Sequence, residues 1–281
     1  SQRIKVMSLL ARNIRKVFIM PIKAVTRRIM PLHTFSEAML YPVIGDRLEI
    51  EQFTKKLDST GYERVDMVEL PTQYAIRGDI IDVFPLDQPA PYRIELFDDE
   101  IESIRQFDSE TQRSLAEPGR AVITPAKEFF IADDVKDFGI SAIESRLELQ
   151  IRRLNSLGLK DRAIALEERI SRGLERLREN LPFDAEEQFA PIIYPRCETI
   201  IDYASMPLII TDEPSRIKES LLTFENETGE AYASFIENGI VLPEEPEIFS
   251  SSQDILDEIN KEQRLEFVLL ARGTDLQKTD Y

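Results

Sequence analysis

The chain has 281 residues, of which 42% are hydrophobic and 31% charged, and its formal net charge is −17. This length suits about two domains and can bury a sizeable core, which argues against disorder over most of the chain. The single cysteine, Cys197, excludes an internal disulfide and a CxxC zinc site, and the single histidine, His33, leaves little scope for histidine catalysis. No apolar run reaches the ~18 residues of a membrane helix. We expect a cytoplasmic protein, and without an initiator Met the chain is expected to begin inside a longer one.

The negative charge is unevenly distributed. An acidic body favours protein partners over phosphate backbones, whereas a basic segment could contact phosphates. A second interpretation is that these basic side chains form a solvated surface whose acidic counterparts lie elsewhere in the fold. Residues 1–33 contain eight basic side chains and no acidic one: Arg3, Lys5, Arg12, Arg15, Lys16, Lys23, Arg27 and Arg28.

Helices and one short strand are predicted for the residues before the alternating region. The apolar stripe of residues 3–13 predicts a helix, and the apolar run Val17–Met20 predicts a buried strand that stops at Pro21. A short helix is predicted for Ile22–Ile29. A further helix is predicted from Asp46, as its N-cap, through Ser59.

Residues 62–115 alternate with a period of two, and turn residues separate the short runs. This pattern predicts a small antiparallel sheet domain with one helix. The candidate strands are Arg64–Glu69, Gln73–Arg77, Ile80–Phe84, Tyr92–Phe97, Glu100–Phe107 and Thr111–Leu115.

The remaining chain shows two different sequence patterns. Apolar residues spaced by three and four over 141–180, interrupted at Gly158, predict two helices folded back as a hairpin. From Phe189 onward, strands and helices alternate, which is typical of α/β layering around a parallel sheet. The predicted elements are a buried strand Leu208–Thr211, helices Pro214–Asn226 and Ser252–Glu262, and a strand Phe267–Leu270.

The predicted fold class is therefore α/β. An α/β domain is expected to comprise residues 1–45, 116–138 and 186–281 and to be incomplete at its N-terminus. A small β-rich domain, residues 46–115, and a helical hairpin, residues 139–185, are expected to be inserted into it.

One acidic pair has the position of a catalytic motif. Asp212 and Glu213 end an apolar strand, as the Walker B carboxylates of ATPases do. ATP hydrolysis also needs a phosphate loop that ends in Gly-Lys-Ser/Thr, and none of the ten glycines is followed by Lys. Asp98 and Asp99 stand where a tight turn is expected, so we predict no metal site there. The residues predict no catalytic centre in this chain.

The strand that ends at Phe97 carries a second candidate. Alternation places Arg93, Glu95 and Phe97 on the face opposite the apolar side chains, and Arg77 ends a neighbouring candidate strand. Arginine beside an exposed aromatic residue is typical of binding hot spots. The alternative is that Phe97 lies under a loop and that Arg93 pairs with Glu95 or Glu102.

Three runs of this sequence resemble a known protein family. The runs Tyr74-Ala-Ile-Arg-Gly-Asp-Ile-Ile-Asp-Val-Phe-Pro, Pro91-Tyr-Arg-Ile-Glu-Leu-Phe-Asp-Asp-Glu and Phe107-Asp-Ser-Glu-Thr-Gln-Arg-Ser resemble the UvrB-like N-terminal module of the bacterial transcription-repair coupling factors. The resemblance implies a degenerate helicase-like (RecA-like) α/β domain that has lost nucleotide binding. It also implies that the small β domain binds the nucleotide-excision repair protein UvrA.

By motif position, the resemblance assigns UvrA contacts to Arg77, Arg93 and Phe97 and leaves Asp212 and Glu213 as a vestige. ATP would serve only a separate motor domain absent from this chain, and RNA polymerase and DNA would be bound by the rest of the full-length protein. The leading hypothesis is a non-catalytic adaptor for DNA repair. The alternatives are part of a UvrB-type ATP-dependent helicase or excinuclease subunit, and a weak DNA-binding module that uses residues 1–33.

Overall fold

The structure is a computed structural model that describes residues 2–179, 181, 185–194 and 196–269. The chain opens with three helices, of which the first confirms the predicted helix over residues 3–13. The predicted strand Val17–Met20 is wrong: no described strand pairs with this segment, and Val17 and Ile19 are 89% and 94% exposed. The helices are α1 (Gln2–Ala11), α2 (Ile22–Val25) and α3 (Leu32–Ala38).

The next helix begins later than expected. Asp46 accepts a hydrogen bond from the backbone N–H of Val43 within a turn, and the backbone N–H of Leu48 donates to the Asp99 carbonyl. Residues 46–48 are therefore held in extended pairing along the edge of a sheet. The helix, α4, spans Ile50–Ser59 and buries Phe53 and Leu57.

A six-stranded sheet follows, with the strands in chain order. The first two strands are parallel and all the others are antiparallel, so the sheet is mixed rather than purely antiparallel as predicted. The predicted strand Arg64–Glu69 is too long, because only its first residue lies in a strand. The strands are β1 (Glu63–Arg64), β2 (Gln73–Arg77), β3 (Ile80–Val83), β4 (Tyr92–Phe97), β5 (Glu100–Phe107) and β6 (Ser114–Ala116).

One face of this sheet packs on α4. Ile81, Ile94 and Leu57 are fully buried in the resulting core. Since successive side chains of a strand point to opposite faces, the burial of Tyr92, Ile94 and Leu96 turns the residues between them to the other face. Burial of an apolar side chain of this size stabilises the fold by about 1.5–3 kcal/mol, which sets the register of β4 firmly.

The predicted helical hairpin is confirmed. It consists of α5 (Asp133–Ser156) and α6 (Lys160–Arg178), and Gly158 takes the left-handed φ of +77° that the turn between them requires. The last part of the predicted range, residues 180 and 182–184, lies outside the described residues. The hairpin shares a core with Phe35 from before the sheet and Phe129 from after it.

The C-terminal part contains a two-stranded parallel sheet. Its first strand was predicted to be buried, but Leu208 and Ile210 are each 55% exposed, because the described helices pack on the face that carries Ile209. The following helix is longer than predicted, and the last strand lies earlier; Leu270 falls outside the described residues. The elements are α7 (Ala190–Ile193), β7 (Leu208–Asp212), α8 (Pro214–Glu237), α9 (Ser252–Lys261) and β8 (Gln263–Phe267).

The architecture is thus a mixed α/β one, with a six-stranded mixed sheet and a small parallel sheet. The helicase-like character of the α/β part and the division into 1–45, 116–138 and 186–281 with two insertions remain predictions. Within the described residues, no helix combines the length and apolarity needed to span a membrane.

Candidate partner-binding site

The candidate site lies on the face of the six-stranded sheet opposite the α4 core. Cross-strand register places Asp82 of β3 directly beside Arg93 of β4, and Arg77 ends β2 at the hairpin that leads into β3. The structure therefore brings the two predicted arginines together. The group between them, the Asp82 carboxylate, was not predicted.

Asp82 binds both arginines. Its Oδ1 accepts a hydrogen bond from Arg93 Nε at 2.7 Å, and its Oδ2 accepts from Arg93 Nη2 at 2.8 Å and from Arg77 Nη2 at 2.5 Å. The Asp82 side chain is 1% exposed, that of Arg93 18% and that of Arg77 45%. Bidentate pairing with a buried carboxylate fixes the plane of the Arg93 guanidinium.

Arg93 has two further contacts. Its Nη2 also donates to Gln112 Oε1 at 2.9 Å, and its guanidinium carbon lies 4.4 Å from the centre of the Phe107 ring. The hydrogen bonds to Asp82 favour the charged guanidinium and raise the pKa of Arg93 above its ordinary value. These contacts hold the Arg93 side chain in one position on the sheet, so it does not move freely as an ordinary surface arginine does.

Phe97 lies at the other end of the site. Its side chain is 75% exposed, at the last position of β4 before a turn in which Asp98 has a left-handed φ of 61°. The alternative interpretation that Phe97 lies under a loop is therefore wrong. Phe97 lies four positions after Arg93 along an extended strand, a distance of roughly 13 Å.

Glu95 lies between these groups on the same face and belongs to a different cluster. It accepts hydrogen bonds from Ser103 Oγ, at 2.7 Å, and from Arg105. The alternative pairing of Arg93 with Glu95 or Glu102 is thus wrong, and its partner is Asp82. A sequence signal for Asp82 did exist: it is the one charged residue inside the apolar run from Ile80 to Phe84.

Replacing Arg93 with alanine is expected to lower the free energy of unfolding by about 1–3 kcal/mol, because the buried Asp82 carboxylate would lose two hydrogen bonds. Chemical denaturation monitored by circular dichroism measures this change. Arg64→Ala, a change at an exposed arginine of β1, is the matched control and is expected to be nearly neutral. An Arg93→Ala chain as stable as the wild type would contradict the hydrogen-bonding role of Arg93.

The Asp212–Glu213 pair lies in the other sheet. Glu213 has a left-handed φ of 54°, and its Oε1 accepts a hydrogen bond from the backbone N–H of Leu269 at 2.7 Å. Its own N–H donates to the Phe267 carbonyl at 2.8 Å. Glu213 therefore joins β7, α8 and the chain after β8. Among the described residues there is no group of three or more potential ligands that could hold a metal ion.

The basic N-terminal residues have acidic counterparts elsewhere in the fold. Arg3 pairs with Glu128 at 3.0 Å, and four others approach a carboxylate within 4.0 Å. This supports the interpretation of a paired surface for most of the segment and leaves Lys5, Arg15 and Lys16 without an ion pair among the described residues. The four other pairs are Arg12–Asp87, Lys23–Glu227, Arg27–Glu187 and Arg28–Asp254.

Comparison with known proteins shows what this region is similar to. Residues 41–129, which contain the whole Arg77–Asp82–Arg93 cluster and Phe97, match the family model of the UvrB interaction domain. The chain is 32% identical over 243 residues to the transcription-repair-coupling factor of Bacillus subtilis strain 168, covering 86% of this chain and 20% of that protein. The factors of Staphylococcus haemolyticus and Staphylococcus aureus strain MRSA252 are 31% and 32% identical to this chain over 242 residues. In both cases the match covers 85% of this chain and 20% of the relative.

The chain therefore spans about a fifth of the length of the relatives it matches. The match is longer than the sheet unit, since it covers 243 residues of this chain. This chain is homologous to a segment of the transcription-repair-coupling factors, and that segment includes a UvrB interaction domain.

Proposed function

We propose that this chain is a non-catalytic adaptor that recruits UvrA to RNA polymerase stalled in transcription-coupled nucleotide-excision repair. The observation that carries the proposal is the exposure of Phe97 on the same sheet face as an arginine pair held by a buried carboxylate. These residues lie within the range that matches the UvrB interaction domain.

The arrangement suits an acidic and partly apolar partner surface. The cluster of Arg77, Arg93 and Asp82 has a net charge of +1, whereas Glu95 and Arg105 neutralise each other. Arg77 is nearly half exposed and has N–H groups left for a partner carboxylate. Phe97 would fill an apolar pocket at the same time, so that the charged contact and the apolar contact bind as two anchors.

Capture of purified UvrA by the immobilised chain tests the proposal. The wild-type chain is expected to bind, and the double variant Arg77→Ala/Arg93→Ala is expected to lose binding, because a buried arginine at an interface is worth ~2–4 kcal/mol. Arg64→Ala is the control. The capture is done well below the melting temperature of the double variant, since that variant is also destabilised. UvrA binding that persists in the folded double variant would show that the site is wrong.

The two alternatives gain less from the structure. Glu213 is engaged in hydrogen bonds with the backbone that join three elements, which gives this member of the acidic pair a structural use. Five of the eight basic residues near the N-terminus are in ion pairs within the chain, which reduces the charge offered to DNA. ATP hydrolysis, and contacts with RNA polymerase and DNA, are accordingly proposed for the remaining parts of a full-length coupling factor.

A further inference from the structure

The fold does not require a buried carboxylate at the position of Asp82. The residue occupies the middle of β3, between Ala75 and Arg93 on the neighbouring strands, and its side chain is 1% exposed. A buried ion pair is often no more stabilising than apolar side chains of the same volume, because the charges must be desolvated. Packing alone does not account for a carboxylate here.

Asp82 does account for the conformation of both arginines. A free arginine side chain has about 2 kcal/mol of rotamer entropy, which binding to a partner would have to overcome. Here the three hydrogen bonds from Arg77 and Arg93 to Asp82 restrict that freedom before any partner arrives. The carboxylate also offsets the repulsion between two cations that share one acceptor group.

Gln112 supports the same arrangement from the turn between β5 and β6. It has a left-handed φ of 60°, and its backbone N–H donates to the Asp108 carbonyl at 2.8 Å. Asp108 Oδ1 also accepts from the backbone N–H of Thr111 at 2.7 Å. A non-glycine residue in this backbone conformation needs such support, and the result is that the Gln112 side chain meets Arg93 Nη2.

We propose that Asp82 is a positioning residue of the docking surface: it holds Arg77 and Arg93 so that their outward N–H groups meet the carboxylates of the partner. Gln112 is the secondary support of Arg93. This inference rests on the proposed function, because it concerns the same surface. It adds that the partner is recognised by oriented guanidinium groups and not by the positive charge alone.

Asp82→Asn separates orientation from charge. The change preserves the size of the side chain and raises the net charge of the cluster from +1 to +2. If charge alone governed the attraction, an acidic partner would bind the variant more tightly. If orientation governs it, binding weakens, because an amide can accept from only one arginine edge and its NH₂ group faces another donor.

Isothermal titration of purified UvrA into the full chain tests this. Asp82→Asn is expected to weaken binding about tenfold or more, and Gln112→Ala by a few-fold. Glu51→Gln, which neutralises an exposed acid of α4 on the opposite face of the sheet, is the matched control and is expected to change affinity less than about twofold. Unchanged or tighter binding by Asp82→Asn would overturn the positioning role.

A nuclear magnetic resonance measurement distinguishes positioning from simple loss of stability. The Nε–H group of Arg93 should give a protected signal in the wild type that disappears in Asp82→Asn while the backbone amide signals of the sheet persist. Should Asp82→Asn fail to fold, Gln112→Ala provides both the affinity and the signal, and an unchanged affinity in it contradicts the inference.

The two proposals fail in different ways. If the wild-type chain does not bind UvrA, the proposed function fails, and if the folded double arginine variant still binds UvrA, the proposed site is wrong. In either case the role of Asp82 in docking fails as well. If the arginines and Phe97 are required and Asp82→Asn binds as well as the wild type, the proposed function stands and only the positioning role is wrong.

Discussion

Replacing Phe97 with alanine is expected to weaken UvrA binding ~30- to 1000-fold while the melting temperature stays unchanged. Loss of a central aromatic anchor costs ~2–4 kcal/mol of binding free energy, and 1.4 kcal/mol corresponds to a factor of ten. The side chain is 75% exposed at the end of β4, so the free chain loses almost no packing with it. The combination of a large binding loss and no stability loss is the signature of a contact residue.

Titration calorimetry and thermal unfolding of the same preparations measure the two quantities. Phe138→Ala is the matched control, because Phe138 is another exposed aromatic residue, 57% exposed on α5, outside the region that matches the UvrB interaction domain. It is expected to leave UvrA affinity unchanged. Phe97→Leu keeps an apolar group and is expected to retain part of the affinity. Equal affinity of Phe97→Ala and the wild type would remove Phe97 from the site.

Arg169→Ala is expected to destabilise the chain by about 1–3 kcal/mol, or roughly 2–6 °C in melting temperature. Arg169 of α6 lies 3.7 Å from the Glu245 carboxylate and donates to the Ile240 carbonyl at 2.7 Å. Glu245 is fully buried, and one of its oxygens has no hydrogen-bond partner among the described residues. Because Arg169 is partly exposed, its loss should cost less than the 3–5 kcal/mol typical of breaking a fully buried pair.

Glu245→Gln completes the experiment and adds a pH dependence. Burial raises the pKa of Glu245, so the folded chain holds this proton more tightly than the unfolded chain. Protonation of Glu245 therefore contributes to the free energy of unfolding. This contribution is fully present below the ordinary glutamate pKa and is lost as the pH rises through the raised pKa of the folded chain. Glu245→Gln should make the free energy of unfolding less dependent on pH in this range. The variant should be no less stable than the wild type at pH 7.

The double variant Arg169→Ala/Glu245→Gln is expected to recover much of the loss caused by Arg169→Ala, since no buried charge would remain without its partner. Arg172→Ala, at an exposed position of the same helix, is the control for the loss of an arginine from α6. Denaturation between pH 4 and pH 8 measures all four variants. Additive effects of the two changes would contradict coupling between Arg169 and Glu245.

The sequence predicted best those elements whose signals are local. β2, β4 and β5 have the predicted bounds, because turn residues mark the ends of these short runs and the residues of β4 alternate strictly. The hairpin of α5 and α6 was equally clear, since a helical stripe is interrupted by a glycine. For the same reason, the exposed face of β4, with Phe97 and Arg93, could be predicted.

The errors concern what covers an element. Val17–Met20 and Leu208–Thr211 are both apolar, but the burial of an apolar run depends on a neighbouring layer that its own residues do not specify. The same applies to the site. Asp82 lies eleven residues from Arg93, and only the register of β3 against β4 makes them neighbours. The partner of Arg93 was therefore beyond reach of periodicity alone.

The alternation of β4 has a consequence for how this region can evolve. Its even-numbered residues build the core and its odd-numbered residues form the proposed recognition surface, so both depend on one register. An insertion or deletion of a single residue in the strand would exchange the two sets, placing Arg93 in the core and Ile94 in solvent. Substitutions can alter affinity gradually, whereas a change in the length of β4 would remove folding and recognition in one step.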